Sequence, residues 1–114
     1  MPIKRTGLII AAGRGARAGG SQPKQYQTLA GEPVLRHTIR AILASNRIDA
    51  VKIVIHPDDI EHYNQCINGI SDNRIMPPVF GDDTRSKSVL NGLRACSSEL
   101  VFIHDGARPL LPLD

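Results

Sequence analysis

LIIAAGRGARAGGSQPKQYQTLAGEPV, residues Leu8 to Val34, changes character twice and decides how the chain folds. Its opening belongs to a continuous apolar run, Gly7 to Ala12, with no polar alternation. Such a run reads as a strand buried on both faces. Four glycines and two arginines then fall within the eight residues Gly13 to Gly20, and Pro23-Lys24-Gln25-Tyr26 follows. Regular structure resumes only at Pro33, a residue suited to the first turn of a helix. A loop this long costs ordering entropy that a plain connection avoids. Glycines let backbone N–H groups close around phosphate oxygens, and Arg17 and Lys24 supply the cations that neutralise moving charge. The plainer reading is that both cations are solvated loop charges.

Beyond the loop, Val34, Leu35, Thr38, Ile39, Ile42 and Leu43 form one stripe at helical spacing. Val51 to Ile55 is a second apolar strand, turned by His56-Pro57-Asp58-Asp59, with Asp58 the expected cap of a helix over roughly 59–67. Pro77-Pro78-Val79-Phe80 reads as a short edge strand, because proline is excluded from sheet interiors. Gly81 to Arg85 is a turn and cap before a helix whose apolar stripe is Val89, Leu90, Leu93 and Cys96. Leu100 to Ile103 is expected as a last buried strand, broken by His104-Asp105-Gly106. Strands alternating with helical stripes argue for right-handed βαβ units and a mostly parallel sheet flanked by helices. Ligands of such sheets sit beyond the carboxyl ends of the strands, where strand order reverses. Three polar clusters, 13–24, 81–88 and 105–108, each follow a strand.

The totals narrow the function classes. A chain of 114 residues, 41% hydrophobic and 22% charged, makes one globular domain rather than two. Net charge is +3, and two tyrosines, two phenylalanines and no tryptophan offer few stacking platforms for single-stranded nucleic acid. Cys66 and Cys96 form no CxxC pair and read as thiols in a reducing compartment. Lys4 and Arg5 precede an apolar stretch, but it is shorter than a secretory core and arginines follow at once. No segment reaches membrane-spanning length. These features point to a cytoplasmic protein without membrane or nucleic-acid partners.

Gly13-Arg14-Gly15-Ala16-Arg17-Ala18 satisfies the dinucleotide pattern GxGxx[GA]. That fingerprint needs a helix opening inside the loop and an acidic residue about twenty positions on. Here the next strand begins only near Val51, which argues against a nicotinamide cofactor. The GxxxxGK[ST] phosphate loop is absent, and the four histidines show no zinc spacing. Asp105 in Asp-Gly is either a turn residue or a carboxylate able to bind magnesium or a hydroxyl. Ser88 near a helix start is ordinarily a cap or first-turn residue.

Taken together, Ala11-Ala12-Gly13-x-Gly15-x-Arg17, Pro23-Lys24-Gln25-Tyr26, Thr84-Arg85-x-x-Ser88-Val89 and His104-Asp105-x-Ala107-Arg108-Pro109 resemble the 2-C-methyl-D-erythritol 4-phosphate cytidylyltransferase family. The first motif is shared by many nucleotidyltransferases; the second and fourth are more selective. The Asp-Gly form of the last also resembles the cytidylyltransferase half of a bifunctional enzyme fused to a cyclodiphosphate synthase. The resemblance implies a Rossmann-like nucleotidyltransferase fold, with residues 1–114 the amino-terminal part of one nucleotide-binding α/β domain. It implies transfer of CMP from CTP to a sugar-alcohol phosphate in the non-mevalonate route to isoprenoids, with Mg2+ as the cation. Arg17 and Lys24 then match transition-state cations. Ala11, Ala12, Gly13 and Gly15 match the backbone around the nucleotide, and Asp83 and Ser88 match base and ribose positions. Asp105 and Arg108 match the acceptor side, with Asp105 towards the metal.

The family's first strand lies beside the fourth, which brings Gly13 and Asp105 to one crevice. Gly-Gly is usual where this chain has Gly81-Asp82, and a left-handed φ there would strain Asp82. The family's later strands, dimerising arm and further acceptor-binding residues have no counterpart before Asp114, so the natural protein is expected to continue and to form a homodimer. A cytidylyltransferase for another alditol phosphate, such as ribitol 5-phosphate, and a nucleotide-binding module without turnover are the rival readings.

Overall fold

In the computed structural model, residues 4–13, 23–96 and 100–106 are described. Strand β1 (Arg5–Ala11) leads, after the intervening segment, to a 3-10 turn at Lys24–Tyr26 and a small hairpin of β2 (Thr28–Leu29) and β3 (Glu32–Pro33). Helix α1 (Val34–Leu43), β4 (Ala50–Ile55) and α2 (Ile60–Ile67) follow. Then come β5 (Val79–Phe80), α3 (Arg85–Arg94) and β6 (Leu100–Asp105). The main sheet has the order β5-β4-β1-β6 with every neighbouring pair parallel. Chain order runs outward from β1 through β4 to β5, then returns across β1 to place β6 on its other side. The reversal therefore falls between β1 and β6.

The continuous apolar run of β1 is explained by what lies on each face. Ile9 and Ala11 join Leu35, Ile39 and Ile42 of α1, with Tyr63 and Cys66 of α2, in one core cluster. Leu8, Ile10 and Ala12 join Val54 in a second cluster, on the side that α3 covers. Burial pushes the Cys66 thiol up to about 11, in keeping with an inert core cysteine. Both cysteines are free.

Two expected helix faces differ in detail. The stripe of α3 does not bury Leu90 and Leu93, which are 44% and 38% exposed. Instead Ser88 and Gly92 are its buried residues. An added Cβ on Gly92 would come within 2.8 Å of the Leu8 and Val54 side chains, so the helix seats its small face on the sheet and turns the leucines outward. At α2, Asp58 does not act as the cap. The His56 Nδ1 accepts the Asp58 N–H at 3.0 Å, and the strand hands over through a 3-10 turn, Pro57–Asp59.

Strand β6 is not buried either: Leu100, Phe102 and Ile103 are 41%, 44% and 43% exposed. It forms an edge among the described strands, and α3 lies over β1 and β4 rather than over it. The cap at Thr84 is as expected, its Oγ1 accepting the Lys87 N–H at 3.1 Å.

The β2–β3 hairpin carries no Asn-Gly or Asp-Gly signal. Its turn places Ala30 at φ 54° and Gly31 at φ 82°, two successive left-handed residues as a type I′ turn requires. A side chain in that region costs about 1–2 kcal/mol unless it is one that tolerates it. Ala30→Asn should therefore raise stability by about 1 kcal/mol. The measurement is a shift of the urea midpoint at constant slope; an unchanged or lower midpoint would show that the turn is not strained at Ala30.

Candidate active site

Three backbone segments converge at the carboxyl end of the sheet. Ile10 of β1 pairs with Asp105 of β6, and the Gly106 N–H donates to the Ile10 carbonyl at 2.9 Å. Asp105 is thereby fixed beside the Ala12-Gly13 end of β1. On the other flank the Gly81 N–H donates to the Ile55 carbonyl at 2.8 Å, which starts the β5–α3 loop against the end of β4.

That loop is held by its own short-range bonds. Ser88, 2% exposed, accepts the Asp82 N–H on Oγ at 2.9 Å and directs its hydroxyl at the Asp82 carbonyl, 3.3 Å away. Asp82 Oδ1 accepts the Asp83 N–H at 2.8 Å. Glycine is needed at 81 for space: an added Cβ would lie 2.5 Å from the Ala12 Cβ and 2.6 Å from the Ser88 Oγ. Among the described residues Ala30 is the only non-glycine at positive φ. The strain expected at Asp82 therefore does not arise.

The third segment is the turn at Lys24–Tyr26. Gln25 is 3% exposed and its Nε2 donates to the Ala11 carbonyl at 2.7 Å and to the Gly13 carbonyl at 2.9 Å. The turn thus docks on the end of β1.

Between these segments lies a cleft of about 530 Å3. Of the residues singled out in the sequence, Ala12, Gly13, Lys24, Asp83, Ser88 and Asp105 line it. Ala11 does not; it is 2% exposed and its side chain belongs to the core on the α1 side. Gly15, Arg17 and Arg108 lie outside the described residues.

Gln25, His56, Asp82, Thr84 and Arg85 line the cleft as well and were not assigned to it from the sequence. His56 could have been found by its position directly after β4. Its Nδ1 is occupied by the Asp58 N–H, so the neutral imidazole carries its proton on Nε2. Gln25 stands inside the motif Pro23-Lys24-Gln25-Tyr26, and Thr84 and Arg85 open the motif Thr84-Arg85-x-x-Ser88-Val89.

The lining mixes signs. Lys24 and Arg85 contribute cations, and Asp82, Asp83 and Asp105 contribute carboxylates. The Lys87 ammonium, 3.1 Å from Asp83, holds that carboxyl below its usual range. Both partners are largely exposed, so the pair adds little stability. No group of three His, Cys, Asp or Glu side chains suited to a metal occurs among the described residues. A divalent cation here would have to complete its shell from ligand oxygens or water, as Mg2+ commonly does with one or two carboxylates and substrate phosphates.

Residues 6–114 match the family model for IspD, 2-C-methyl-D-erythritol 4-phosphate cytidylyltransferase. The chain belongs to the IspD family. A 2-C-methyl-D-erythritol 4-phosphate cytidylyltransferase of Cereibacter sphaeroides is 46% identical over 107 residues, covering 91% of this chain and 47% of that protein. A bifunctional enzyme IspD/IspF of Paramagnetospirillum magneticum is 47% identical over the same length, with 91% and 27% covered. Among solved structures, the 4-diphosphocytidyl-2C-methyl-D-erythritol synthase of Anaerococcus prevotii superposes with a TM-score of 0.79 at 33% identity. That match covers 95% of this chain and 45% of the other. The chain thus spans between about a quarter and a half of the relatives it matches.

Within this IspD-family cleft, Gly81 is packed far more tightly than Gly13, around which an added Cβ would meet nothing within 4 Å. Gly81→Ala should destabilise by about 1–3 kcal/mol, the usual cost of overpacking. Thermal melting of the variant checks this, and a melt equal to that of the parent would mean that Ala12 and Ser88 give way freely.

Proposed function

We propose that the protein carrying this chain transfers CMP from CTP to 2-C-methyl-D-erythritol 4-phosphate and releases pyrophosphate, a step of non-mevalonate isoprenoid synthesis. The observation that carries the reading is the family match over residues 6–114, which takes in every segment that lines the cleft. The acceptor phosphate is largely dianionic at neutral pH, its second pKa being about 6, so the attack needs no general base. An acceptor oxygen bonds to the α-phosphorus of CTP as the bond from that phosphorus to the bridging oxygen breaks. The obstacle is bringing one anion onto another, which positioned cations remove.

In this reading Lys24 and Arg17 stabilise the charge that shifts towards pyrophosphate. Ala12, Gly13 and Gly15 supply the backbone around the nucleotide, with Ala11 behind them and its carbonyl bonded to Gln25. Asp83 and Ser88 serve the base and ribose side, Ser88 by fixing the Asp82 backbone beside them. Asp105 and Arg108 face the acceptor. A Mg2+ ion bound by Asp105 and the phosphates would neutralise charge and align the triphosphate. The mixed charge of the lining supports that fit, since three carboxylates facing a triphosphate call for a bridging cation.

Residues 1–114 form the amino-terminal part of one nucleotide-binding α/β domain, and the complete protein is a cytoplasmic homodimer with no nucleic-acid or membrane partner. Among the described residues no helix is long and apolar enough to cross a membrane.

Pyrophosphate release by the full-length protein with CTP and 2-C-methyl-D-erythritol 4-phosphate is the direct test. Turnover with ribitol 5-phosphate alone would favour another alditol phosphate, and CTP binding without turnover would leave only a nucleotide-binding module. Arg17→Ala and Lys24→Ala should each lower kcat by about a hundredfold or more while weakening CTP binding far less. Either variant with a near-parental kcat would return that residue to the status of a loop charge. Asp105→Asn should melt like the parent yet lose most activity and need more magnesium, because an amide oxygen is a poorer ligand than a carboxylate. An unchanged rate and magnesium requirement would remove Asp105 from the site.

A further inference from the structure

We infer that Gln25 is a positioning residue for CMP transfer: its buried carboxamide fastens the carbonyl end of β1 to the turn that carries Lys24, and so sets where Lys24 enters the cleft. The inference rests on the cytidylyltransferase reading. A carboxamide nitrogen has two N–H donors, and Gln25 gives them to two carbonyls, Ala11 at 2.7 Å and Gly13 at 2.9 Å. Two acceptors on one side fix the amide's orientation, since the reversed group would set its oxygen against both carbonyls. The bonded atoms lie twelve and fourteen residues apart in sequence, so the contact joins two segments that chain continuity alone does not hold together.

The same turn is anchored from its far side. Tyr26 is 3% exposed and stacks on His62 of α2, with ring centroids 5.1 Å apart at 25°. Its N–H donates to the Pro23 carbonyl at 3.0 Å. Of residues 23 to 26 only Lys24 is not buried, and Lys24 is the one whose neighbours on both sides are held. A lysine stem has four rotatable carbons, so the ammonium's reach depends on where the Cα is fixed. Misplacing a charge-stabilising group by about 1 Å can cost up to a hundredfold in rate. Gln25 itself needs no contact with substrate to exert that effect. The same bonds also hold the Gly13 carbonyl, so the nucleotide-facing backbone and the cation are set against one frame.

A double-mutant cycle in the full-length protein tests this, using Gln25→Met, Lys24→Ala and the pair. Gln25→Met keeps the side chain's length and removes both donors. It is expected to lower kcat roughly tenfold to a hundredfold, with little change in the KM for CTP. In the Lys24→Ala background the same substitution should cost less than about threefold, because the group being positioned is already gone. Equal fold losses in both backgrounds, or a Gln25→Met enzyme with parental kcat, would overturn the inference. A loss confined to the melting temperature would do the same and leave Gln25 as a packing residue. If Gln25→Met does not fold, Gln25→Asn goes through the same cycle under the same criteria, as it keeps the donors but falls short of the two carbonyls. A parent protein without CMP transfer overturns the cytidylyltransferase reading and the inference together. An active parent with uncoupled losses overturns the inference alone.

Discussion

Strand β1 has both its edges occupied by parallel partners, β4 on one side and β6 on the other, and the remaining architecture answers to that constraint. A parallel neighbour needs a crossover connection rather than a tight turn. The chain satisfies this first through α1 and later through α3, which lie on opposite faces of the sheet. Because helices cover both faces, β1 is apolar from Gly7 to Ala11, and nothing is exposed between Thr6 and Ala12. Strand order reverses between β1 and β6, and Gly13, Lys24, Asp105 and residues 82–85 border one volume at the strand ends. The cleft is the space that results.

The cleft's walls differ in how they are fixed. The Gly81–Thr84 wall is a self-bonded loop: Ser88 holds Asp82, Asp82 holds the next N–H, and Thr84 caps α3. Its carboxylates line the cleft from a backbone already in place. The Lys24 wall is fixed by long-range bonds from Gln25, and Asp105 by strand register with Ile10. Three separate devices thus place Asp82 and Asp83, Lys24, and Asp105 around one volume. Since preorganised charges need no rearrangement as the reaction proceeds, such an arrangement suits phosphoryl chemistry.

Exposure on β6 and α3 has a different origin. Gly92 lets α3 approach β1 and β4 closely, which turns Leu90 and Leu93 outward, and β6 lies beyond the helix's cover. The apolar character of Leu100, Phe102 and Ile103 belongs to a strand built for burial, yet each remains more than two-fifths exposed here.

The sequence by itself determined the alternation of strands and helices, the two-sided burial of β1, the edge character of Val79–Phe80 and the motifs that carry the family resemblance. Those are local or periodic properties, written within a few residues of one another. Helix rotation was not legible, because the Val89-Leu90-Leu93-Cys96 stripe competes with a closer fit at Gly92 that only the neighbouring Leu8 and Val54 reveal. The cap at His56 and the Ala30-Gly31 turn escaped for a different reason: each is a local arrangement made by a residue type outside the usual preference, a histidine as cap and an alanine at positive φ. Ala11 and Gln25 show the limit most clearly. Both sit in motifs, yet only the fold decides that Ala11 turns its side chain into the core and lends its carbonyl to Gln25. A hydrogen bond between residues fourteen apart leaves no periodic trace in a chain; it exists only once the strand and the turn have met.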